Sequence, residues 1–189
     1  MKWDYEFDVV VVGSGNGALT SAICSHDGGA KTLVIEKSDQ YGGTSATSGG
    51  GVWIPNNRYA KAEKVDDSDQ DARDYINSVS PEGKIKDELV ETYIAEGPKM
   101  IDYLHENSQV KYRNLAHYPD YFPDNPGGKA GNRSMEPEPI KGTELGDDLG
   151  RLRGQHPQTA FTMGPINMNF TQVEGQLLLG ALPGWKVQF

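Results

Sequence analysis

The sequence holds a single cysteine, Cys24, so no internal disulfide can form. Its four histidines, His26, His105, His117 and His156, lack the close pairing of a zinc site, and no metal is expected. Basic residues are in deficit: 18 Lys and Arg stand against 27 Asp and Glu, a formal charge of −9. A field of that sign repels nucleic acid and anionic membrane surfaces. Long apolar runs are missing as well. The run near the N-terminus is only Val9 to Val12, whereas a membrane-spanning helix needs about 20 apolar residues. The opening residues Met-Lys-Trp-Asp-Tyr-Glu-Phe-Asp carry acids where a signal peptide is basic, and the lone cysteine suits a reducing compartment, so a cytoplasmic location is expected. No internal repeat is evident, and the 23 glycines follow no collagen-like period. What remains is the composition of a soluble globular chain, 189 residues long and sufficient for about one domain.

The front of the chain reads as strand, glycine turn, helix, strand. Val9 to Val12 is a β-branched run without alternation, the pattern of a strand buried on both faces of a parallel sheet. Leu19, Ala22 and Ile23 recur at helical spacing until Gly28-Gly29, and Thr32 to Ile35 forms a second buried strand. The fold class expected is α/β: a Rossmann-like βαβ unit with a parallel sheet, additional helices and an irregular excursion. The polar Gly/Ser/Thr stretch from Tyr41 to Gly51 is a loop. Helices are expected over Asp66 to Val79, with an acidic start, and over Lys84 to Glu96, with Ile85, Leu89 and Tyr93 on one face. Pro98 then opens a further helix through His105, since proline suits a first turn and not an interior. Tyr118 to Pro139, rich in proline and glycine, is the irregular excursion. Leu177 to Leu179 can begin a helix, and the ending at Phe189 looks abrupt.

Gly13-x-Gly15-x-x-Ala18 has the spacing of a dinucleotide fingerprint and lies between a strand and a helix, as that motif requires. Gly13 permits the tight turn, Gly15 lets the backbone approach a diphosphate, and Ala18 lets helix and strand pack closely. The diphosphate would rest on free amides at the helix N-terminus. Glu36 ends the second strand, where an acid accepts hydrogen bonds from both ribose hydroxyls of an adenosine. The bland alternative is an ordinary turn with a solvated strand end.

These residues, together with Ile-Glu-Lys-x-x-x-Tyr-Gly-Gly-Thr-Ser-Ala-Thr-Ser-Gly-Gly-Gly-Val-Trp-Ile-Pro at 35 to 55, resemble the FAD domain of the fumarate reductase and succinate dehydrogenase flavoprotein superfamily. Within it the sequence is most similar to 3-ketosteroid Δ1-dehydrogenases. That likeness extends through Tyr118-Pro-Asp-Tyr121 and Asn132-Arg133-Ser134 and loses specificity after about Glu138. The resemblance implies FAD, with Gly13, Ser14, Gly15, Gly17, Ala18, Glu36 and Lys37 on the adenosine diphosphate side. It also implies that Gly42, Gly43, Thr44, Ser45, Ser48 and Gly50 run along the flavin. Members that bind FAD covalently use a histidine in this loop, and none lies between His26 and His105, so non-covalent binding is expected.

The resemblance further implies C1–C2 desaturation of a 3-ketosteroid ring, hydride passing to the flavin, with Tyr121 as an active-site phenol supporting the catalytic base. A buried tyrosine packed among Pro119, Phe122 and Pro123 is the alternative for that residue. Arg133 is open between a cofactor contact and pairing with an acid such as Glu136. Cys24 reads as a small packing residue, and Trp53 as packing near the flavin loop or as plain core. The principal base and the carbonyl-polarising groups belong, in that family, to later segments. The expectation is therefore an N-terminal part of an FAD-binding domain, with 1–60 the βαβ unit and flavin loop, 61–110 helical, and 111–189 irregular. Such a piece alone would be inactive and would be completed by the rest of its enzyme. Two other readings stand beside it: a flavin-dependent reductase of fumarate-like or other activated alkenes, and a non-catalytic FAD-binding module completed by a partner chain.

Overall fold

The structure, a computed structural model, describes residues 3–138, 140–154, 161–163 and 166–168. The expected helix at Leu177 to Leu179 lies outside the described residues. The chain divides into two compact units, one of residues 1–49 with 140–189 and one of residues 50–139. The boundary falls in the Gly-rich stretch near residue 50, ten residues ahead of the one expected from the sequence.

In the first unit β1 (Val9–Val12) pairs in parallel with β2 (Thr32–Ile35), Val9 opposite Thr32 and Val12 opposite Ile35. The crossover is α1 (Asn16–Asp27), which packs on both strands and buries Ala22. It stops where expected: Gly28 and Gly29 donate their amides to the carbonyls of Cys24 and His26, and Gly29 takes φ +89°. Two expectations fail here. The valine run is not buried on both faces. Val9 and Val11 are half-buried, but Val10 is 52% and Val12 77% exposed. Among the described residues this sheet has two strands, so the face of Val10 and Val12 meets no second layer. Cys24 is exposed rather than packed, because α1 turns the Ala22 face inward. Two short strands, β6 (Phe161–Met163) and β7 (Ile166–Met168), pair antiparallel later in the same unit.

The second unit is built on a three-stranded antiparallel sheet that the sequence reading did not expect, one strand of it falling within the stretch read as an irregular excursion. Its order is β3 (Val52–Trp53), β5 (Ser134–Pro137), β4 (Tyr112–Asn114). Ile54, Ile101, Tyr112 and Met135 form its core, with Val52, Tyr59 and Leu104 packed against them. A short α2 (Arg58–Ala62) is capped by Asn57, whose Oδ1 accepts from the amides of Tyr59 and Ala60 at 3.0 Å. The same side chain donates to the carbonyls of Ile54 and Asn132, which accounts for its complete burial.

Helix α3 (Asp69–Val79) starts three residues later than expected. Ser68 caps it, accepting from Asp71 N and donating to Asp71 Oδ2, while Asp67 is drawn aside to Arg133. Helix α4 (Asp87–Asn107) is one continuous helix of 21 residues where two were expected, with Pro98 in its interior. The break is avoided because tertiary packing outweighs the lost hydrogen bond. Val90, Ile94, Gly97 and Ile101 lie buried, and Ala72, Val90 and Ile94 form a second core cluster against α3. The excursion between β4 and β5 is fastened to α3, with Phe122 N donating to Tyr75 Oη and Asn125 Nδ2 to Ser78 Oγ.

Arg133 takes the second of its two expected roles, pairing with acids, but the acids are Asp67 and Asp120 rather than Glu136. It is 1% exposed and forms a bidentate pair with Asp67 at 2.7 and 3.1 Å and a further bond to Asp120 at 2.9 Å. Its guanidinium lies over the rings of Trp53 and Tyr75. Glu136 pairs instead with Arg113. Trp53 also donates its indole N–H to Asp120, so it belongs to this buried network.

Candidate functional site

The first unit brings the glycine turn, the strand-end acid and the small-residue loop together. Gly13, at φ +98°, turns the chain out of β1 and ties its amide to the carbonyl of Ile35 at 2.7 Å. Gly15 then caps α1. No acid occupies the first turn, and the amides of Gly15, Gly17 and Ala18 meet no acceptor among the described residues. Such a turn attracts an anion, since its N–H groups and the helix dipole point the same way.

Ser14 is buried and joins all the parts. Its hydroxyl donates to Glu36 Oε2 at 2.5 Å and accepts from the amide of Gly42 at 2.9 Å. Glu36 Oε1 accepts from Ser38 N at 3.0 Å. The Ser14 hydroxyl, before any other cause, holds the Glu36 carboxyl below its ordinary value, helped by the backbone amides of Ser38, Lys37 and Ser14. The acid is thus kept ionised and aimed beside the turn, with Lys37 next to it in an exposed position.

The loop folds back on the turn. Ser45 Oγ accepts from Asn16 N at 2.9 Å, and a Cβ on Gly15 would sit 3.4 Å from that oxygen. A Cβ on Gly43 would come 3.4 Å from the Cα of Gly15. Gly42, at φ +105°, is buried under the loop, and Ser45–Thr47 make one 3-10 turn that leaves Thr44, Ser45 and Ser48 exposed. Gly50 falls in the second unit, where a Cβ would press within 2.9 Å of Pro137 Cγ.

These features meet the demands of a dinucleotide: free amides for a diphosphate, an ionised acceptor for an adenosine ribose, and a close glycine surface beside both. A family described as "FAD binding domain" matches residues 8–174. The chain belongs to that family. FAD is its cofactor.

Several relatives agree in kind. The chain is 37% identical over 168 residues to the 3-oxosteroid 1-dehydrogenase of Mycolicibacterium smegmatis, covering 89% of this chain and 29% of that protein. It is also 37% identical over 157 residues to the 4-oxocyclohexanecarboxylate 2-dehydrogenase of Sinomonas cyclohexanicum, covering 83% of the chain and 27% of that protein. Among solved structures, it matches the 3-ketosteroid Δ1-dehydrogenase of Sterolibacterium denitrificans in complex with 1,4-androstadiene-3,17-dione. That match has a TM-score of 0.84 and 40% identity over 95% of this chain and 31% of that one. The chain therefore spans under a third of the length of these proteins.

Tyr121 lies in the second unit and is 82% exposed, which removes the alternative of a tyrosine buried among Pro119, Phe122 and Pro123. Its neighbour Asp120 is buried, bonds Trp53 and Arg133, and closes the local loop by accepting from Lys129 N at 2.9 Å. Tyr118 is hydrogen-bonded with Tyr121; burial first, and that bond second, raise the Tyr118 phenol above its ordinary value. Asp67 and Asp120 as fixers of this region were missed in the sequence, as was Leu152, which packs against Gly42. No helix among the described residues is long and apolar enough to cross a membrane.

Proposed function

We propose that this chain is the FAD-holding part of an oxidoreductase that desaturates a cyclic ketone beside its carbonyl, with a 3-ketosteroid as substrate and C1–C2 as the bond. The observation that carries this reading is the 40% identity, over nearly the whole chain, to a structure that holds a steroid dienone. Gly13 makes the turn on which the amides of Gly15, Gly17 and Ala18 receive the diphosphate, and Ser14 fixes their position relative to Glu36. Glu36, with Lys37 beside it, takes the adenosine ribose. Gly42, Gly43, Thr44, Ser45, Ser48 and Gly50 form the flavin side, small enough for a flat ring to approach and rich in hydroxyl donors. When bound, FAD supplies a two-electron acceptor for the hydride that leaves the ring carbon next to the α-carbon.

The chain's own contribution to the chemistry is Tyr121. An exposed phenol both donates and accepts, and in this reading it supports the base that removes the α-proton. Tyr118, its phenol pushed up by burial, steadies Tyr121 through their hydrogen bond. A second reading, a smaller alicyclic keto acid as substrate, is favoured by the identity to the Sinomonas enzyme.

The test is to express the full reading frame that carries this chain, load it with FAD and supply 4-androstene-3,17-dione, 4-oxocyclohexanecarboxylate or fumarate with a suitable redox partner. Formation of 1,4-androstadiene-3,17-dione is expected. Turnover of fumarate or of the alicyclic ketone, with the steroid untouched, would overturn the steroid assignment.

A further inference from the structure

Beyond residue 139 the chain returns to the first unit and meets the loop that follows Glu36. We propose that residues 151–153 are a latch that holds the Gly42–Ser45 loop in its cofactor-binding conformation, with Leu152 as the positioning residue. The inference rests on reading that loop as part of the FAD site.

Two main-chain bonds make the latch. Tyr41 N donates to the carbonyl of Arg151 at 3.0 Å, and Arg153 N donates to the carbonyl of Tyr41 at 2.9 Å, giving a parallel bridge between Tyr41 and Leu152. Leu152 is extended, at φ −68° and ψ 131°, and its Cδ1 comes so near Gly42 that a Cβ there would lie 3.2 Å away. Gly42 is the residue on which the loop turns: its φ is +105°, its amide bonds Ser14, and its carbonyl accepts from Ala46 N at 3.1 Å. Ser14 in turn bonds Glu36. Leu152 therefore bears on the joint that ties the loop to the turn and to the acid. The Arg151 guanidinium is taken up by Asp148 in an exposed pair, so the latch works through backbone and Leu152 rather than through that charge.

The physical need is plain. A loop containing Gly42, Gly43, Gly49, Gly50 and Gly51 loses much backbone freedom when it is ordered, and its own side chains are too small to hold it by burial. A site whose competent conformation is populated only in part binds its ligand more weakly by that fraction. The latch raises the fraction before the ligand arrives.

The experiment compares Leu152→Ala and Arg153→Pro, which cuts one main-chain bond, with Leu152→Met and Leu149→Ala in the intact chain. Leu149 packs on Gly142 instead of on the loop. Hydrogen exchange is read over residues 41–47 without FAD, and FAD affinity is read by titration. Leu152→Ala and Arg153→Pro are expected to speed exchange at 41–47 while sparing 9–12 and 32–35, and to raise the FAD Kd roughly tenfold, as for a loop left competent about a tenth of the time. Leu152→Met restores both readouts, and Leu149→Ala moves neither. Unchanged exchange at 41–47 in both disruptive variants, or exchange that rises equally at 9–12 and 32–35 in both, would overturn the latch. A wild-type chain that takes up no FAD would sink the cofactor reading, with the exchange pattern still deciding the latch.

Discussion

Ser14 is the residue through which the cofactor site is organised. A serine in the middle of a glycine fingerprint is unremarkable by type, yet its hydroxyl spends its proton on Glu36 and a lone pair on Gly42. The depressed Glu36 carboxyl has a definite consequence for acid behaviour. A group whose folded value is lowered contributes stability above its unfolded value, and that contribution is lost as the pH falls through the folded value. For Glu36 the window therefore lies below its ordinary value of 4.5. A carbon-13 titration of the side-chain carboxyl is expected to show a midpoint under 4.5 in the wild-type chain and a rise toward 4.5 in Ser14→Ala. Identical midpoints in the two proteins would mean that Ser14 does not hold the acid. Arg133 makes a second residue-scale case. Two buried carboxylates share one guanidinium, and removing one partner of a buried pair costs about 3–5 kcal/mol. Arg133→Met should lower the unfolding free energy by that order in a denaturant titration, and a change within about 0.5 kcal/mol would show that the buried network contributes no net stability.

At the scale of elements, what the sequence disclosed depended on how local the cause was. β1, α1 and β2 were legible because their signals lie within the elements themselves: a valine run, a helical period, and a Gly-Gly stop. The glycine turn and Glu36 were legible with them, and so was the placing of a close loop after them. The three-stranded sheet was not legible. Its strands are two to four residues long and exist because Val52 meets Met135 and Tyr112 meets Pro137 across long stretches of chain. Arg133 finds Asp67 and Asp120 through the same long-range folding, which no spacing rule foretells. The contact of Leu152 with Gly42 belongs to the same class. In α4 a local rule misled. Pro98 does remove a helical donor, leaving the Ile94 carbonyl without its usual partner, but the packed face on both sides of it keeps the helix whole. Pro98→Ala is therefore expected to stabilise the chain, by up to about 3 kcal/mol, read as a higher denaturant midpoint at unchanged slope. A lowered midpoint would show that the proline ring contributes more by packing than it costs in the helix.

For the whole molecule, the two units divide the labour proposed here: the first carries the diphosphate turn, the acid and the loop, and the second carries Tyr121 on a buried ionic framework. The excess of acidic over basic residues gives no general attraction for an anionic dinucleotide, so affinity must arise locally, from the amides of a first helical turn that itself contains no acid. Nothing in the loop offers a histidine for covalent attachment, and acid precipitation is expected to release all flavin into the supernatant. The direct measurement of the central claim is a titration of the purified chain with FAD, followed by the flavin absorption band, beside Gly15→Val. In that variant the added side chain enters the space between the turn and Ser45. The account predicts saturable binding at one equivalent by the wild-type chain and binding weakened roughly tenfold or more by Gly15→Val, a loss of about 1.4 kcal/mol. A wild-type chain that leaves the flavin band unperturbed, or a Gly15→Val chain that binds as tightly as wild type, would contradict it.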